Sequence, residues 1–400
     1  MSGKSRAFAL LLVVFLLAAV YGVFRALSPR EKIARHPNPS NYAVTLNSIP
    51  AHYDPHSSDL WQVDLRSADL TGLDLSDSGD VLSHASFDDK TIWPVTMPSD
   101  FDWRHILEMG KNPGLGVRQL HEQGITGKGI GIAIIDQTLL VDHQEYVNQL
   151  KLYEETWEVP WFDAMSIHGA AVASIAVGKT VGVAPEADLY YFATESCYGR
   201  DQTDFACLAK IVRRVLEVNQ TLPQDHRIRA LSMSIGWMPG DQGYAEITSA
   251  VEEARADGIF VVNTVLEDTY GFELFGLGRE PLLDADDPFS YMPADWWADN
   301  FYNGAVPPRM LLVPMDSRTI ASPTGFSDYV FYRQGGISWS IPYVAGTYAL
   351  AAQVKPDITP EEFWATALET GRTIQIIHEG EEYSFGVILD PQALIAALQK

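Results

Sequence analysis

From about Gly116 onward, short β-branched apolar runs alternate with Ala-rich stretches of helical spacing. GIGIAIID (129–136), ADLYYFA (187–193), RALSMSIG (229–236) and GIFVVNTV (258–265) are strand-length and almost continuously apolar, the pattern of strands covered on both faces. HGAAVASIAVG (168–178), DFACLAKIVRRVLEVN (204–219), YAEITSAVEEARADG (244–258) and IPYVAGTYALAAQVK (341–355) read as helices. Strand and helix in turn predict an α/β fold, a mostly parallel sheet with helices on both faces. Its ligand site is expected outside the carboxyl ends of the strands.

The first hundred residues have a different texture. Ala7 to Leu27 is an apolar run long enough to cross a bilayer, which needs about 20 residues, so residues 1–27 are expected to be a transmembrane signal-anchor. Lys4 and Arg6 favour a cytoplasmic N-terminus and place the rest of the chain outside the cytoplasm. A cleaved signal peptide followed by secretion is the rival reading, although Tyr21, Phe24 and Arg25 crowd the place where a cleavage site would lie. Residues 28–114 are rich in Pro, Asp, Ser and His and read as a stalk or small irregular extension. Within them VDLRSADLTGLDLSDSGDVLSHASFD (63–88) places Leu or a neighbour near every fifth position, like a fragment of a pentapeptide repeat. Such a fragment is too short to stand alone, and a loop with chance periodicity is the alternative. Residues 115–400 make one large domain.

Composition narrows the function classes only a little. A net charge of −24 and a pI near 4.7 argue against sequence-independent binding to nucleic acid, and no nucleic-acid partner is expected. The two cysteines, Cys197 and Cys207, are either a disulfide, as suits an exported chain, or two free thiols; neither is assigned a catalytic role.

Three polar residues sit where this architecture can use them. Asp136 ends an apolar run at the sheet's ligand edge, yet acidic residues often end strands as turn formers. His168 opens a helix of small residues, where the positive end of the helix favours a neutral ring; a capping or core histidine is the bland alternative. Ser338 follows two glycines and precedes an apolar helix with Pro342 four positions on. Free backbone N–H groups of a helix start are available there to an anion, but a plain serine cap would look the same.

Taken together and in order, these segments resemble the subtilisin-like serine peptidases. GITGKGIGIAIIDQTLLVDH is similar to the family's aspartate motif, HGAAVASIAVGKTVGVAPEADLYYF to its histidine motif and LSMSIG to its substrate-binding strand. GGISWSIPYVAGTYALAA is similar to its serine motif, and TPEEFWATALETG and GVILDPQALIAAL to its last helices. The resemblance covers about Gly116 to Lys400. It implies a subtilisin-like fold and a serine endopeptidase with Asp136, His168 and Ser338 as triad and a polypeptide as substrate. Ser234, Ile235 and Gly236 would pair with the substrate backbone. It implies no metal or organic cofactor in the chemistry. Some relatives bind calcium in loops, but no carboxylate spacing locates such a site here.

The resemblance breaks at the second oxyanion donor, which the family supplies as Asn at a strand end. Counting from Gly258 puts Glu267 there, while Asn263 falls earlier, and the sequence leaves the choice open. Gln137, Thr138, Ile337, Trp339 and Ser340 also depart from the pattern, and Leu266 and Trp237 are expected to narrow the pocket. A chain of this kind is a specialised peptidase or, alternatively, a pseudopeptidase that binds a peptide in the same cleft.

Overall fold

The computed structural model describes residues 40–400 apart from 41, 56, 58–60, 156–165, 195–196, 198–201 and 308. Its centre is a five-stranded, all-parallel sheet. In spatial order the strands are Leu150–Glu155, Asp188–Ala193, Gly131–Asp136, Ile228–Met233 and Phe260–Asn263. Gly131–Asp136 and Asp188–Ala193 are buried throughout, as their unbroken apolar runs require when both faces are covered. Helices Phe205–Thr221 and Tyr244–Ala256 cover one face around Leu208, Val212 and Ile247. Ile167–Val177 and Ile337–Val354 cover the other. Those last two are apolar all round because they lie inside the protein. Gly169 lets the first of them press on the sheet, since a Cβ there would come within 2.6 Å of the Thr138 carbonyl oxygen and the Tyr191 hydroxyl.

A second sheet was not legible as such. Leu274–Arg279, Leu311–Pro314 and Glu381–Ile388 run parallel in it, flanked by the antiparallel strands Tyr291–Pro293 and Arg372–His378. Cys197 and Cys207 are joined in a disulfide, with Cα atoms 5.5 Å apart, which resolves the alternative the sequence left open.

The expected transmembrane anchor is corrected. Among the described residues no helix is long and apolar enough to cross a membrane. The longest apolar helix among the described residues, Ile337–Val354, is a core helix with fourteen buried residues. Residues 7–27, where the anchor was expected, lie outside the described residues.

Within residues 28–114, expected as a stalk or small irregular extension, the described residues pack in layers. Leu65, Leu70 and Leu75 are all buried, so the five-residue spacing marks an inward-facing row and is no accident of a loop. Their N–H groups donate to the carbonyls of Ser86, Ile92 and Thr96, which belong to a second layer of the same segment. Phe87–Asp88 then pairs with Tyr329–Tyr332 of the main body, and the Phe87 ring packs on Phe331, Trp93 and Phe101. The short repeat thus finds its stacked neighbours in its own second layer and in the body. Phe87→Ala is expected to cost about 3–5 kcal/mol by emptying that junction. Equilibrium denaturation measures it, and a loss below about 1 kcal/mol would show that the extension docks by other contacts.

Candidate functional site

Asp136 is the last residue of its strand, and its side chain is 5% exposed. Its Oδ1 accepts two hydrogen bonds, from the Gln137 N–H at 2.8 Å and from His168 Nδ1 at 2.6 Å. His168 is the second residue of its helix, which Ser166 caps by accepting the His168 backbone N–H at 3.0 Å. Ser166 in turn donates to the Gln137 side-chain oxygen, and Tyr191 donates to the Gln137 carbonyl. Gln137, a departure from the family pattern, thus ties the aspartate's strand end to the cap of the histidine helix. With Nδ1 on the carboxylate, Nε2 is the ring nitrogen left to exchange a proton.

Ser338 is the second residue of Ile337–Val354, half-buried, behind Gly336 at φ +101°, a turn conformation that side chains resist. Pro342 has no N–H, so the Ser338 carbonyl lacks its usual partner four residues on. The Ser234 hydroxyl takes that place at 3.1 Å and fastens the serine loop to the strand segment after Met233. The ring of Trp339, next in sequence, lies 5.4 Å from the His168 ring centroid. This contact brings the serine loop to the histidine. Among the described residues no hydrogen bond joins Ser338 Oγ to His168, as is common before substrate tightens such a site.

Of the strand expected to hold substrate, Ile235 already accepts from the Thr264 N–H at 3.3 Å, and Gly236 packs under Val265 and Thr264. Trp237 does not narrow a pocket: it is buried beside Phe205 with its indole N–H on Thr248. The two oxyanion candidates, Asn263 and Glu267, border the same cavity. Asn263 is fully buried, its Oδ1 accepting from the Val265 N–H and one of its two amide N–H groups donating to Thr269, which leaves one amide donor. Glu267 is exposed on the short helix Leu266–Tyr270. With Asn263, Leu266, Ile337 and Ile341 it lines a cavity of about 320 Å³ against the start of the Ser338 helix. The neighbouring Glu273 carboxyl is held above its ordinary range by burial first, then by the charge of Glu267 and a hydrogen bond to it.

Among the described residues no group of three or more His, Cys, Asp or Glu is placed to hold a metal ion.

Residues 127–265 match the profile of the subtilase family. No curated protein matches the chain. Among solved structures, the prenylagaramide maturation protease PagA is 14% identical, with 71% of this chain and 98% of that one covered at a TM-score of 0.49. A protease from Pseudoalteromonas arctica PAMC 21717 is 17% identical over 72% and 95%, at 0.48. The PatG macrocyclase domain is 14% identical over 75% and 97%, at 0.49.

Proposed function

We propose, from the match of residues 127–265 to the subtilase family, that this chain is a subtilisin-like peptidase that hydrolyses internal peptide bonds through Ser338, His168 and Asp136 and an acyl-enzyme. The observation that carries this reading is the His168 Nδ1 to Asp136 Oδ1 hydrogen bond beside a serine at the free start of a buried helix. Ser338 Oγ attacks the carbonyl carbon and its proton passes to His168 Nε2. The tetrahedral intermediate collapses as that proton goes to the leaving amine, and water repeats the sequence on the ester. Asp136 keeps the ring's other proton on Nδ1 and stabilises the imidazolium. The Ser338 N–H donates to no described group and is available to the oxyanion. The Cys197–Cys207 disulfide favours a site of action outside the cytoplasm, where such bonds persist.

A second reading, a peptide-binding pseudopeptidase, rests on the Glu267 carboxylate bordering the cavity at the start of the Ser338 helix, where an oxyanion would be opposed. Labelling with a fluorophosphonate separates the two. Modification mapped to Ser338 and absent from Ser338→Ala supports the peptidase, and a folded protein that stays unlabelled across pH 5 to 9 sinks it.

The pH dependence has a definite sign. Burial is the largest influence on His168 and lowers its pKa, but the charge of Asp136 and their hydrogen bond outweigh it and the net shift is upward from 6.5. A base must be neutral, so kcat/KM is expected to fall with acidification through a value above 6.5. An acidic limb at or below 6.5 would count against the Asp136–His168 pair acting in the free protein. Stability runs the other way: the raised pKa stabilises the fold at low pH, and that contribution fades as pH rises through the folded value.

A further inference from the structure

A cavity of about 210 Å³ opens beside Gly335, Gly336 and Ile337, the loop that leads into Ser338. That is the size of a side chain, below the roughly 300–1,000 Å³ of pockets for whole small ligands. Its apolar wall is Trp61, Trp296 and Met315, and its polar wall is Asp295, Asp316 and Gln334. Ser234, Ile235 and Gly236 do not border it. It borders the loop into Ser338 and not the segment read as holding the acyl part of the substrate.

The polar wall is short of donors. Asp316 is 3% exposed; its Oδ1 accepts from the Gly335 N–H at 2.7 Å, and its Oδ2 accepts from no described residue. Asp295 Oδ2 accepts from the Tyr53 hydroxyl at 3.0 Å and the Gln334 amide at 2.6 Å, and its Oδ1 likewise has no described partner. The nearby cation, Arg333, is committed to the carbonyls of Ser83 and Arg279 and to Glu280. Two carboxyl groups with open oxygens in a cavity walled by two indoles match a planar cation on an apolar stem. A guanidinium fits better than an ammonium, because its N–H fork can reach both carboxyls while its plane lies on aromatic rings.

Building on the peptidase reading, we propose that this cavity is a specificity subsite that receives an arginine side chain of the substrate. Trp61 and Tyr53 come from the packed extension, so the extension supplies part of the substrate preference of the adjoining nucleophile.

The test is arranged so that it needs no turnover. Peptides carrying arginine, its neutral isostere citrulline, or norleucine at successive positions are titrated calorimetrically into Ser338→Ala protein. At one position arginine is expected to bind about tenfold or more tightly than citrulline or norleucine, the worth of hydrogen bonds to charged groups. The ratio should fall towards one when Asp316→Asn or, independently, Asp295→Asn is added in protein whose circular dichroism is unchanged. It should also rise between about pH 6 and about pH 8. Burial pushes the Asp316 carboxyl up to about 7, with the Gly335 N–H and Arg333 opposing and Asp295 adding to the rise. Equal binding of arginine and citrulline at every position, or no binding of either, overturns the subsite. Arginine preference in a chain whose wild type never takes up fluorophosphonate would leave the subsite standing and remove the peptidase instead.

Discussion

Asp136→Ala is expected to lower kcat by about four orders of magnitude with little change in KM, because it frees the His168 ring to turn and to protonate on the wrong nitrogen. Asp136→Asn should lose less. In this protein the same oxygen, Oδ1, accepts both the Gln137 N–H and the His168 Nδ1–H. An asparagine carbonyl placed there by Gln137 can still hold the Nδ1–H tautomer, leaving Nε2 free to accept the serine proton. What asparagine lacks is the negative charge that stabilises the imidazolium in the transition state. The order wild type, Asn, Ala in kcat on an activated ester therefore separates orientation from charge. Equal losses in the two variants would show that charge alone is what Asp136 supplies. A loss of under tenfold in Asp136→Ala would remove the residue from the machinery altogether.

The parts of this molecule that were legible in the sequence are those whose pattern has one physical meaning. The strands at 131–136, 188–193, 228–233 and 260–263 are mostly apolar runs of strand length because both faces are covered. Edge strand Leu150–Glu155 escaped because Lys151, Glu154 and Glu155 interrupt it where one side meets solvent. Leu274–Arg279 escaped because Gly276 and Gly278 read as turn residues. In the structure Gly276 is where Met315 packs against the strand.

At the site, Asp136 and His168 could be placed at a strand end and a helix start, the positions that bring them together. The roles of Gln137 and Trp339 could not, since both act through partners far away in sequence. The carboxyl-lined cavity was invisible for the same reason: Tyr53, Asp295 and Gln334 meet only after the extension docks. The pentad row Leu65, Leu70, Leu75 gave a real signal, but its meaning depended on the second layer supplied by residues 86–96.

Glu267→Gln is expected to raise kcat by tenfold or more while KM stays nearly constant. Two effects add. A carboxylate about 4 Å from a developing oxyanion opposes it by about 1 kcal/mol in water and about 4 kcal/mol at an effective dielectric of 20; Glu267 is exposed, so the lower part of that range applies. An amide in its place can donate, and one preorganised oxyanion donor is worth about 10²–10³ in kcat where its geometry is right. Because charge develops in the transition state, the gain belongs in kcat and not in KM. The gain should be fullest on the alkaline side of the His168 titration, where the base is neutral. A Glu267→Gln enzyme with unchanged kcat at every pH would mean that the oxyanion is held entirely by the Ser338 N–H and donors away from the Leu266–Tyr270 helix.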